Sequence, residues 1–334
     1  MQPIKQIYFV ITDSCNADCG FCIRKNLPKA NREMQLSSIK EVLVKLSCFY
    51  PDSALIITGG EPSLHPEFKK IVNFASKQFN NVVITTNGSF SVAIREYLQN
   101  KLQTNVYLQI SLDGTKDIHR KLRKNEKLFD TILDNLRAMQ SNSRHIALST
   151  TVNEINYDNI IDLARFLNGF KFSHWKVSME QELNPISNSN LTIEKWNSLI
   201  MKLVEVAQFR LSTSKLFDFD LWDKFVDTTN AQNAIKNCGY GNYKFYVDTD
   251  FNVLPCTCVD IKIGNLLTDS IEKINTELKK ISVVNVANDS VCYTCRYKTI
   301  CNGGCPGYSL KVFGRVGMGD VRCPMVKNKL NTKC

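Results

Sequence analysis

Short apolar runs alternate with segments of helical period from the start of the chain to about residue 180. Six runs rich in β-branched and aromatic residues predict strands over 6–12, 54–58, 81–86, 105–112, 145–152 and 174–178. Among the helices predicted between them, one covers 67–79, with Pro66 suited to its first position, and another covers 38–50, opened by a capping-box pattern at Ser38. Six such alternations indicate an α/β fold with parallel strands and right-handed crossovers. We expect an open, partial barrel or a doubly wound sheet.

The pattern changes in the second half of the chain. An amphipathic helix over 191–211 is predicted as a connector, and residues 243–247 and 252–254 predict a hairpin. A helix near 269–281 precedes an irregular stretch rich in Gly and Cys that runs to Cys323. The sequence therefore predicts a partial barrel over 1–185, a helical connector over 186–235 and a small irregular Cys-rich domain over 236–334.

Composition places the chain among globular proteins. Of its 334 residues, 43% are hydrophobic and 22% are charged. No apolar run approaches the roughly 18 residues of a membrane span, and no export signal precedes the first strand. We therefore expect a soluble, cytoplasmic protein without a membrane partner. The net charge of +10 would suit binding to nucleic acid, but the cysteines weaken that interpretation.

Cysteine is abundant and unevenly placed. Of 13 cysteines, three lie at 15, 19 and 22, one lies at 48, and nine fall between Cys238 and Cys334. Disulfides are rare in a reducing compartment, so metal ligation is the favoured explanation. Bound [4Fe–4S] clusters with thiolate ligands carry negative charge and would reduce the net charge to roughly +5. A nucleic-acid substrate is accordingly not expected.

The sharpest motif joins Cys15, Cys19 and Cys22. These spacings also suit one face of a helix, but the intervening Asn16, Asp18 and Gly20 and the preceding strand favour a loop. A structural zinc site takes four ligands, and this cluster has three without a nearby His. Three thiolates suit a [4Fe–4S] cluster that keeps one iron open for another ligand.

With this motif the sequence resembles the radical S-adenosylmethionine (SAM) enzymes, whose hallmark is a Cys-x3-Cys-x2-Cys loop after the first barrel strand. The resemblance extends over about the first 150 residues. After the second strand stands the segment Gly59, Gly60, Glu61, Pro62, which in the family binds the methionine amine of SAM. The glycines allow close backbone approach, and a carboxylate pairs with an ammonium.

Three more SAM contacts are implied by the resemblance. Ser111 ends the fourth strand and Arg123 follows twelve residues later, a spacing at which relatives of the sulfatase-maturase type contact SAM. The planar guanidinium of Arg123 suits the SAM carboxylate. Phe21 resembles the family's aromatic residue beside the adenine. Asp113 is either a further contact or a residue that orders the loop.

A second cysteine motif resembles the SPASM extension of radical SAM enzymes, which holds two auxiliary [4Fe–4S] clusters. The resemblance implies that one cluster is held by Cys292, Cys295, Cys301 and Cys323. It assigns the other cluster to Cys305, Cys238 and Cys256, with Cys258 as candidate fourth ligand. Cys256 and Cys258 would face the same side of a strand. The alternative is an iron that stays open or takes a substrate atom.

Two departures from the family pattern leave that fourth ligand open. Phe251 stands where the family has Gly, with four residues between it and Cys256. The interval from Cys238 to Cys256 is also longer than usual.

The resemblance implies reductive cleavage of SAM to a 5′-deoxyadenosyl radical that abstracts hydrogen from a C–H bond. Oxidative modification or cross-linking of a ribosomally made peptide is the favoured function, with a flavodoxin or ferredoxin as reducing partner. We expect no leader-peptide-binding domain before the first strand. Thr257 replaces the Asp of sulfatase maturases, which disfavours formylglycine formation. A sugar or aminocyclitol oxidoreductase and a non-catalytic iron–sulfur carrier or sensor are the alternatives. No catalytic acid or base is assigned.

Overall fold

The computed structural model describes residues 4–26, 33–102, 104–181, 191–226, 243–282 and 286–331. Within these ranges a single ten-stranded sheet has the order β10-β9-β8-β1-β2-β3-β4-β5-β6-β7. The strands are β1 Gln6–Val10, β2 Ala54–Thr58, β3 Val82–Thr86, β4 Val106–Ser111, β5 Ile146–Val152, β6 Trp175–Met179, β7 Leu211–Ser212, β8 Lys244–Val247, β9 Asn252–Leu254 and β10 Gly264–Asn265.

Strands β1 to β7 are parallel to their neighbours in chain order, which confirms the predicted α/β fold of a partial barrel. β8 pairs in parallel with the free edge of β1, β9 pairs antiparallel with β8, and β10 pairs antiparallel with β9. The Cys-rich half of the chain therefore contributes strands to the same sheet. The division at 185 and 235 stays a prediction, because residues 182–190 and 227–242 lie outside the described ranges.

The helices pack between and after the strands. They are α1 Leu36–Phe49, α2 Phe68–Gln78, α3 Val92–Lys101, α4 Lys116–Arg123, α5 Leu128–Ala138, α6 Ile160–Leu167, α7 Ile193–Val206, α8 Phe219–Val226, α9 Ile271–Ser282, α10 Lys298–Cys301, α11 Pro306–Phe313 and α12 Pro324–Asn331. Among the described residues, no helix has the length and apolar character needed to cross a membrane.

Three details of the predicted helices are wrong. α1 begins at Leu36, and its N-cap residue Gln35 makes no side-chain capping bond, so Ser38 lies inside the helix. α2 begins at Phe68, two residues after Pro66. α7 ends at Val206 and the chain then forms the short strand β7, because backbone pairing with β6 competes with helix at its end.

The sheet has one apolar face and one polar face. Alternate residues such as Ile7 and Phe9 are fully buried among the helices. The opposite face, here called the inner face, carries Thr58, Thr85 and Ser111, which line one cavity, and residues of β6 and β8 that line another. The site chemistry of the protein is therefore carried by the side chains that alternate with its core.

The β8–β9 hairpin explains how Phe251 replaces a family glycine. Phe251 has φ +63°, a left-handed conformation that ordinarily favours Gly. Its ring is buried and lies edge-on to Phe9 of β1, with ring centres 6.3 Å apart. Packing against β1 therefore offsets the backbone strain at this turn.

Candidate active site

The three cysteines of the first motif lie in a loop that leaves β1, as predicted. The loop ends at a short 3₁₀ helix, Ile23–Asn26, and the Cys22 amide donates to the Cys19 carbonyl at 3.3 Å. Cys15 is exposed, Cys22 is half-buried and Cys19 is buried. All three line a cleft of about 620 Å³ at the carboxyl ends of β1 to β4.

Gly59 and Gly60 let the turn after β2 approach this loop. The Gly60 amide donates to the Thr12 carbonyl at 2.9 Å, and the Glu61 amide donates to the Ser14 carbonyl at 2.8 Å. A Cβ atom on Gly59 would lie 2.5 Å from the Thr12 oxygen, inside van der Waals contact. Both glycines line the cleft. Glycine is required at these positions because the turn after β2 and the cysteine loop approach each other closely.

The Glu61 carboxylate, in the turn after β2, is held by donors from the protein itself. Glu61 is fully buried, and its carboxylate accepts hydrogen bonds from the Thr86 hydroxyl at 2.8 Å and from the Asn87 amide at 2.7 Å. The amide and hydroxyl of Ser63 also donate to it, at 3.1 and 2.7 Å. Glu61 is not among the residues lining the cleft, and the buried Pro62 begins a short 3₁₀ turn. The carboxylate therefore joins the turn after β2 to the end of β3.

Arg123, at the end of α4, is held in a buried ion pair. Its Nε and Nη2 atoms lie 2.6 and 2.5 Å from Oδ2 of Asp113, and the Asp113 side chain is fully buried. The guanidinium also lies 5.3 Å from the centre of the Phe21 ring. Burial lowers the pKa of Arg123, but the Asp113 charge and the Cys19 thiol outweigh burial and raise the pKa above its usual value. Arg123 is a fixed cation on the cleft wall.

Asp113 itself is fixed by the backbone. Its second oxygen accepts from the Thr151 amide at 2.8 Å, and its own amide donates to Nδ1 of His119 at 3.0 Å. Burial, together with the charge of Arg123, lowers the pKa of His119 to about 3, so this ring stays neutral and can accept. The geometry favours the second of the two roles open for Asp113, that of a residue that positions Arg123.

A second ion pair on the cleft wall was not predicted. Arg24 contacts Asp13, whose side chain is 2% exposed, and both line the cleft. The other Asp13 oxygen accepts from the Thr249 hydroxyl at 3.1 Å, which connects the β8–β9 turn to the cysteine loop. Asp13 directly follows the first predicted strand, a signal that could have suggested it. Its pairing with Thr249 has no sequence signal.

The thiols of the cleft suit metal ligation. Burial raises the pKa of Cys19, whereas the Arg123 charge lowers it. Burial likewise raises the pKa of Cys15. Thiols of this kind are deprotonated by the metal that they bind. With Ser111 and Arg123 also lining the cleft, its residues fit an iron–sulfur cluster and a ligand that carries a carboxylate.

A second cavity, of about 390 Å³, brings together the first predicted auxiliary set, Cys292, Cys295, Cys301 and Cys323. Aromatic side chains of α8 and of the segment just before it complete the wall. Burial, with the neighbouring Cys323 and Cys292, raises the pKa of Cys301 to about 12. The indole nitrogen of Trp222, which lines this cavity, is buried and has no hydrogen-bond partner among the described residues. Four thiols and an unused donor fit a cluster with acceptor sulfurs.

A third cavity, of about 1380 Å³, lies between β6, β8 and the Cys-rich segment and is lined by Cys256, Cys258 and Cys305. The Cys258 amide lies 3.3 Å from the Cys256 sulfur, and hydrogen bonding from Cys258 lowers the pKa of the Cys256 thiol to about 7. β9 ends at Leu254, so Cys258 lies in a turn and not on a strand. Cys258 does line the cavity, but the strand alternation from which it was predicted to face Cys256 is wrong. Cys238 lies outside the described residues.

Over the described ranges, no three His, Cys, Asp or Glu side chains surround a point as a single metal ion requires. The cysteines of the predicted sets lie instead along the walls of three cavities.

Comparison with known proteins identifies a family and several relatives. The family model described as the radical SAM superfamily matches residues 9–167. The sporulation killing factor maturation protein SkfB of Bacillus subtilis (strain 168) is 24% identical over 291 residues, covering 84% of this chain and 67% of the relative. The cysteine-type anaerobic sulfatase-maturating enzyme of Clostridium novyi (strain NT) is 22% identical over 336 residues, covering 91% and 88%.

Solved structures of the same fold cover nearly the whole chain. Streptococcus suis SuiB bound to precursor peptide SuiA has a TM-score of 0.79 at 15% identity and covers 98% of this chain and 76% of that one. Native anSMEcpe with bound AdoMet has a TM-score of 0.73 at 16% identity and covers 99% and 100%. At these identities the likeness shows the fold. The family match places a radical SAM domain over residues 9–167, and enzymes of that family use SAM and a [4Fe–4S] cluster.

Proposed function

We propose that this protein is a radical SAM enzyme that oxidatively modifies or cross-links a ribosomally made peptide. The observation that carries the proposal is the convergence of three thiols, a glycine turn and the fixed Arg123 guanidinium in one cleft. The third cavity, between β6, β8 and the Cys-rich segment, supplies a space in which a segment of peptide can be held. Its residues include cysteines that we assign to an auxiliary cluster.

In this proposal the first cleft holds the cofactors. Cys15, Cys19 and Cys22 bind the cluster, and Gly59 and Gly60 approach the methionine part of SAM. When bound, the reduced cluster and SAM together supply a 5′-deoxyadenosyl radical able to abstract hydrogen from a C–H bond.

The remaining predicted residues orient SAM. Arg123 pairs with its carboxylate, Ser111 donates or accepts a hydrogen bond, and Phe21 packs beside the adenine. Glu61 and Pro62 hold the turn that carries the glycines, since the Glu61 carboxylate is already occupied by donors from β3. Asp113 positions Arg123 through two short charged hydrogen bonds.

We assign two auxiliary clusters. One is bound by the four cysteines of the second cavity, and the other by Cys256, Cys258, Cys305 and Cys238. Cys256, Cys258 and Cys305 border the space proposed for substrate, so a cluster bound there is suited to accept one electron from the substrate radical that hydrogen abstraction leaves. A flavodoxin or ferredoxin supplies the reducing electron in the cytoplasm.

The peptide substrate is supported by the relatives. Besides SkfB and the sulfatase-maturating enzyme, they include the antilisterial bacteriocin subtilosin biosynthesis protein AlbA of Bacillus subtilis, 23% identical over 274 residues. The mycofactocin maturase MftC of Mycobacterium ulcerans is 24% identical over 316 residues. Four relatives named for maturation or bacteriocin biosynthesis favour a peptide over a sugar.

The cofactor chemistry is tested under anaerobic conditions. The reconstituted protein is incubated with SAM and dithionite, and 5′-deoxyadenosine is quantified against a variant in which Cys15, Cys19 and Cys22 are all replaced by Ala. We expect product from the wild type alone. A reconstituted protein that neither binds nor cleaves SAM would leave the iron–sulfur carrier as the better interpretation.

The substrate class is tested separately. The protein is co-expressed with each short open reading frame that flanks its gene, and each peptide is examined by mass spectrometry. We expect one peptide to lose hydrogen atoms in pairs, only with the intact first cysteine motif. Sugar substrates that accelerate 5′-deoxyadenosine formation, with no change in any peptide, would contradict the peptide assignment.

A further inference from the structure

Asp320 and Arg322 form a buried ion pair in the Cys-rich segment. The Arg322 Nε atom lies 3.0 Å from one carboxylate oxygen of Asp320, and Nη2 lies 2.7 Å from the other. Their side chains are 1% and 13% exposed. The guanidinium also lies 4.2 Å from the centre of the Tyr308 ring. An arginine held by a two-point contact and a ring has few other positions, so its charge is fixed in space.

Asp320 connects cysteines that we assign to different clusters. The Cys305 amide donates to the Asp320 carboxylate at 3.1 Å, and the Cys323 amide donates to the Asp320 carbonyl at 2.9 Å. A Cβ atom on Gly304 would lie 2.5 Å from the Cβ atom of Asp320, so the backbone before Cys305 packs directly against this residue. Asp320 lines both the second and the third cavity. The ion pair therefore lies where the two auxiliary sites meet.

Arg322 places a cation on the wall of the third cavity, beside three thiols. The thiols are those of Cys256, Cys258 and Cys305. Thiolate ligands give a [4Fe–4S] cluster a net negative charge, which a fixed cation on the same wall offsets. Burial lowers the pKa of Arg322, but the charge of Asp320, with a contribution from Cys305, raises it above its usual value. The residues of this wall therefore fit an anionic cluster.

From this geometry we propose that Arg322 raises the reduction potential of the cluster bound in the third cavity, and that Asp320 fixes this cation in place. The proposal rests on the proposed function, which assigns that cluster. The reduced cluster carries one more negative charge than the oxidised one, so a fixed cation stabilises it and a buried anion destabilises it. A higher potential favours transfer of one electron from the substrate radical. This transfer takes the cluster from [4Fe–4S]²⁺ to [4Fe–4S]⁺ and leaves a substrate cation that loses a proton or bonds to a nucleophile of the peptide.

The experiment is a redox titration of the reconstituted full-length protein, followed by EPR spectroscopy. Added SAM alters the signal of the first cluster, and Cys305→Ser alters the signal of the cluster in the third cavity, so each signal can be assigned. Arg322→Gln removes the charge but keeps an amide donor for Asp320, and Arg322→Lys keeps the charge. Asp320→Asn removes the anion. Arg315→Gln is the matched control, because Arg315 forms an exposed ion pair with Asp289.

Arg322→Gln should lower the midpoint potential of the third-cavity cluster. At a fixed potential, the ratio of reduced to oxidised cluster should fall about tenfold, a shift of about 59 mV for a one-electron couple. Asp320→Asn should raise the same midpoint, while Arg322→Lys and Arg315→Gln should stay close to wild type. The opposite signs separate charge from a loosened fold, because water entering the site would shift the potential in the same direction in both variants. Lys215 and Lys244 line the same cavity and are unchanged throughout, so their charge is constant.

Equal midpoints in wild type and Arg322→Gln would overturn the proposal, as would shifts of the same sign in Arg322→Gln and Asp320→Asn. It would also fail if Arg322→Gln lost about four iron atoms that Arg322→Lys retains, since the charge would then hold the cluster and not tune it. The proposed function is read separately from 5′-deoxyadenosine formation by the wild type. Product without the potential shift sinks this inference alone. The potential shift without product sinks the proposed function and leaves the role of Arg322.

Discussion

Arg123 shows how one buried ion pair prepares a side chain for binding. The pair with Asp113 leaves the Arg123 side chain 12% exposed, on the cleft wall and above Phe21. An arginine held in this way loses little conformational freedom when a carboxylate arrives. The same pair is costly to break, because the remaining charge stays buried.

Asp113→Asn should therefore weaken both stability and SAM binding. The substitution keeps the shape of the side chain but leaves Arg123 buried without its counter-ion, which costs about 3–5 kcal/mol of unfolding free energy. Denaturant titration and calorimetry of SAM binding measure the two effects. Asp117→Asn, at an exposed acid in the first turn of α4, is the matched control and should change little. Equal effects of the two substitutions would show that Asp113 does not position Arg123.

A methyl group on Gly60 should displace the cysteine loop. The new Cβ would lie 2.6 Å from the Asp13 carbonyl oxygen and closer still to that of Ser14, and backbone atoms cannot give way cheaply. Gly60→Ala should lower iron content after reconstitution by about four atoms, one cluster, and abolish SAM binding. Gly20→Ala, in the same loop but facing open space, should behave as wild type. Full iron loading of Gly60→Ala would mean that the turn does not order the loop.

At the scale of elements, strand pairing joins the two halves of the site. β8 pairs with β1, and the turn after β8 contacts the cysteine loop through Thr249 and Asp13. Hydrophobic alternation predicted both the strands and the hairpin. The choice of the β1 edge as the partner of β8 depends on which edge the barrel leaves open, and local pattern carries no information about it.

The second cavity depends on a tight turn at Gly319. This residue has φ +110°, and a Cβ there would lie 2.8 Å from the Cys292 sulfur and 2.8 Å from a methyl of Val326. Gly319→Ala should lower iron content by about four atoms while the first cluster still binds SAM. Gly314 also has a positive φ, but a Cβ atom added there would have no other atom within 4 Å. Gly314→Ala therefore controls for backbone strain. If both variants lose the same iron, strain rather than contact with Cys292 is responsible.

At the scale of the molecule, the partial barrel and the Cys-rich segment are connected through α1. Lys45 donates to the carbonyls of Leu266 and Asp269, at 2.9 and 2.7 Å, just before α9. The Tyr50 hydroxyl donates to Asn275 of α9 at 2.6 Å. These bonds stabilise one assembly in which a cluster, SAM and substrate can meet.

Lys45→Met should destabilise that assembly by about 1.5–3 kcal/mol, since two carbonyls lose a charged donor. Chemical denaturation of the reconstituted protein measures the change. Lys77→Met, at the exposed end of α2, is the control and should lie within about 0.5 kcal/mol of wild type. A Lys45→Met protein as stable as that control would show that water satisfies these carbonyls equally well.

The sequence by itself determined the six parallel strands, the cysteine motifs and the resemblance to radical SAM enzymes. These signals are local, because residue spacing sets both strand alternation and the ligand order of a loop. Only the tertiary structure decided that Glu61 faces β3 and that Asp13 pairs with Arg24. These contacts join residues that are separated in the sequence and whose burial cannot be read from it. Both the contacts and the burial depend on how the sheet closes.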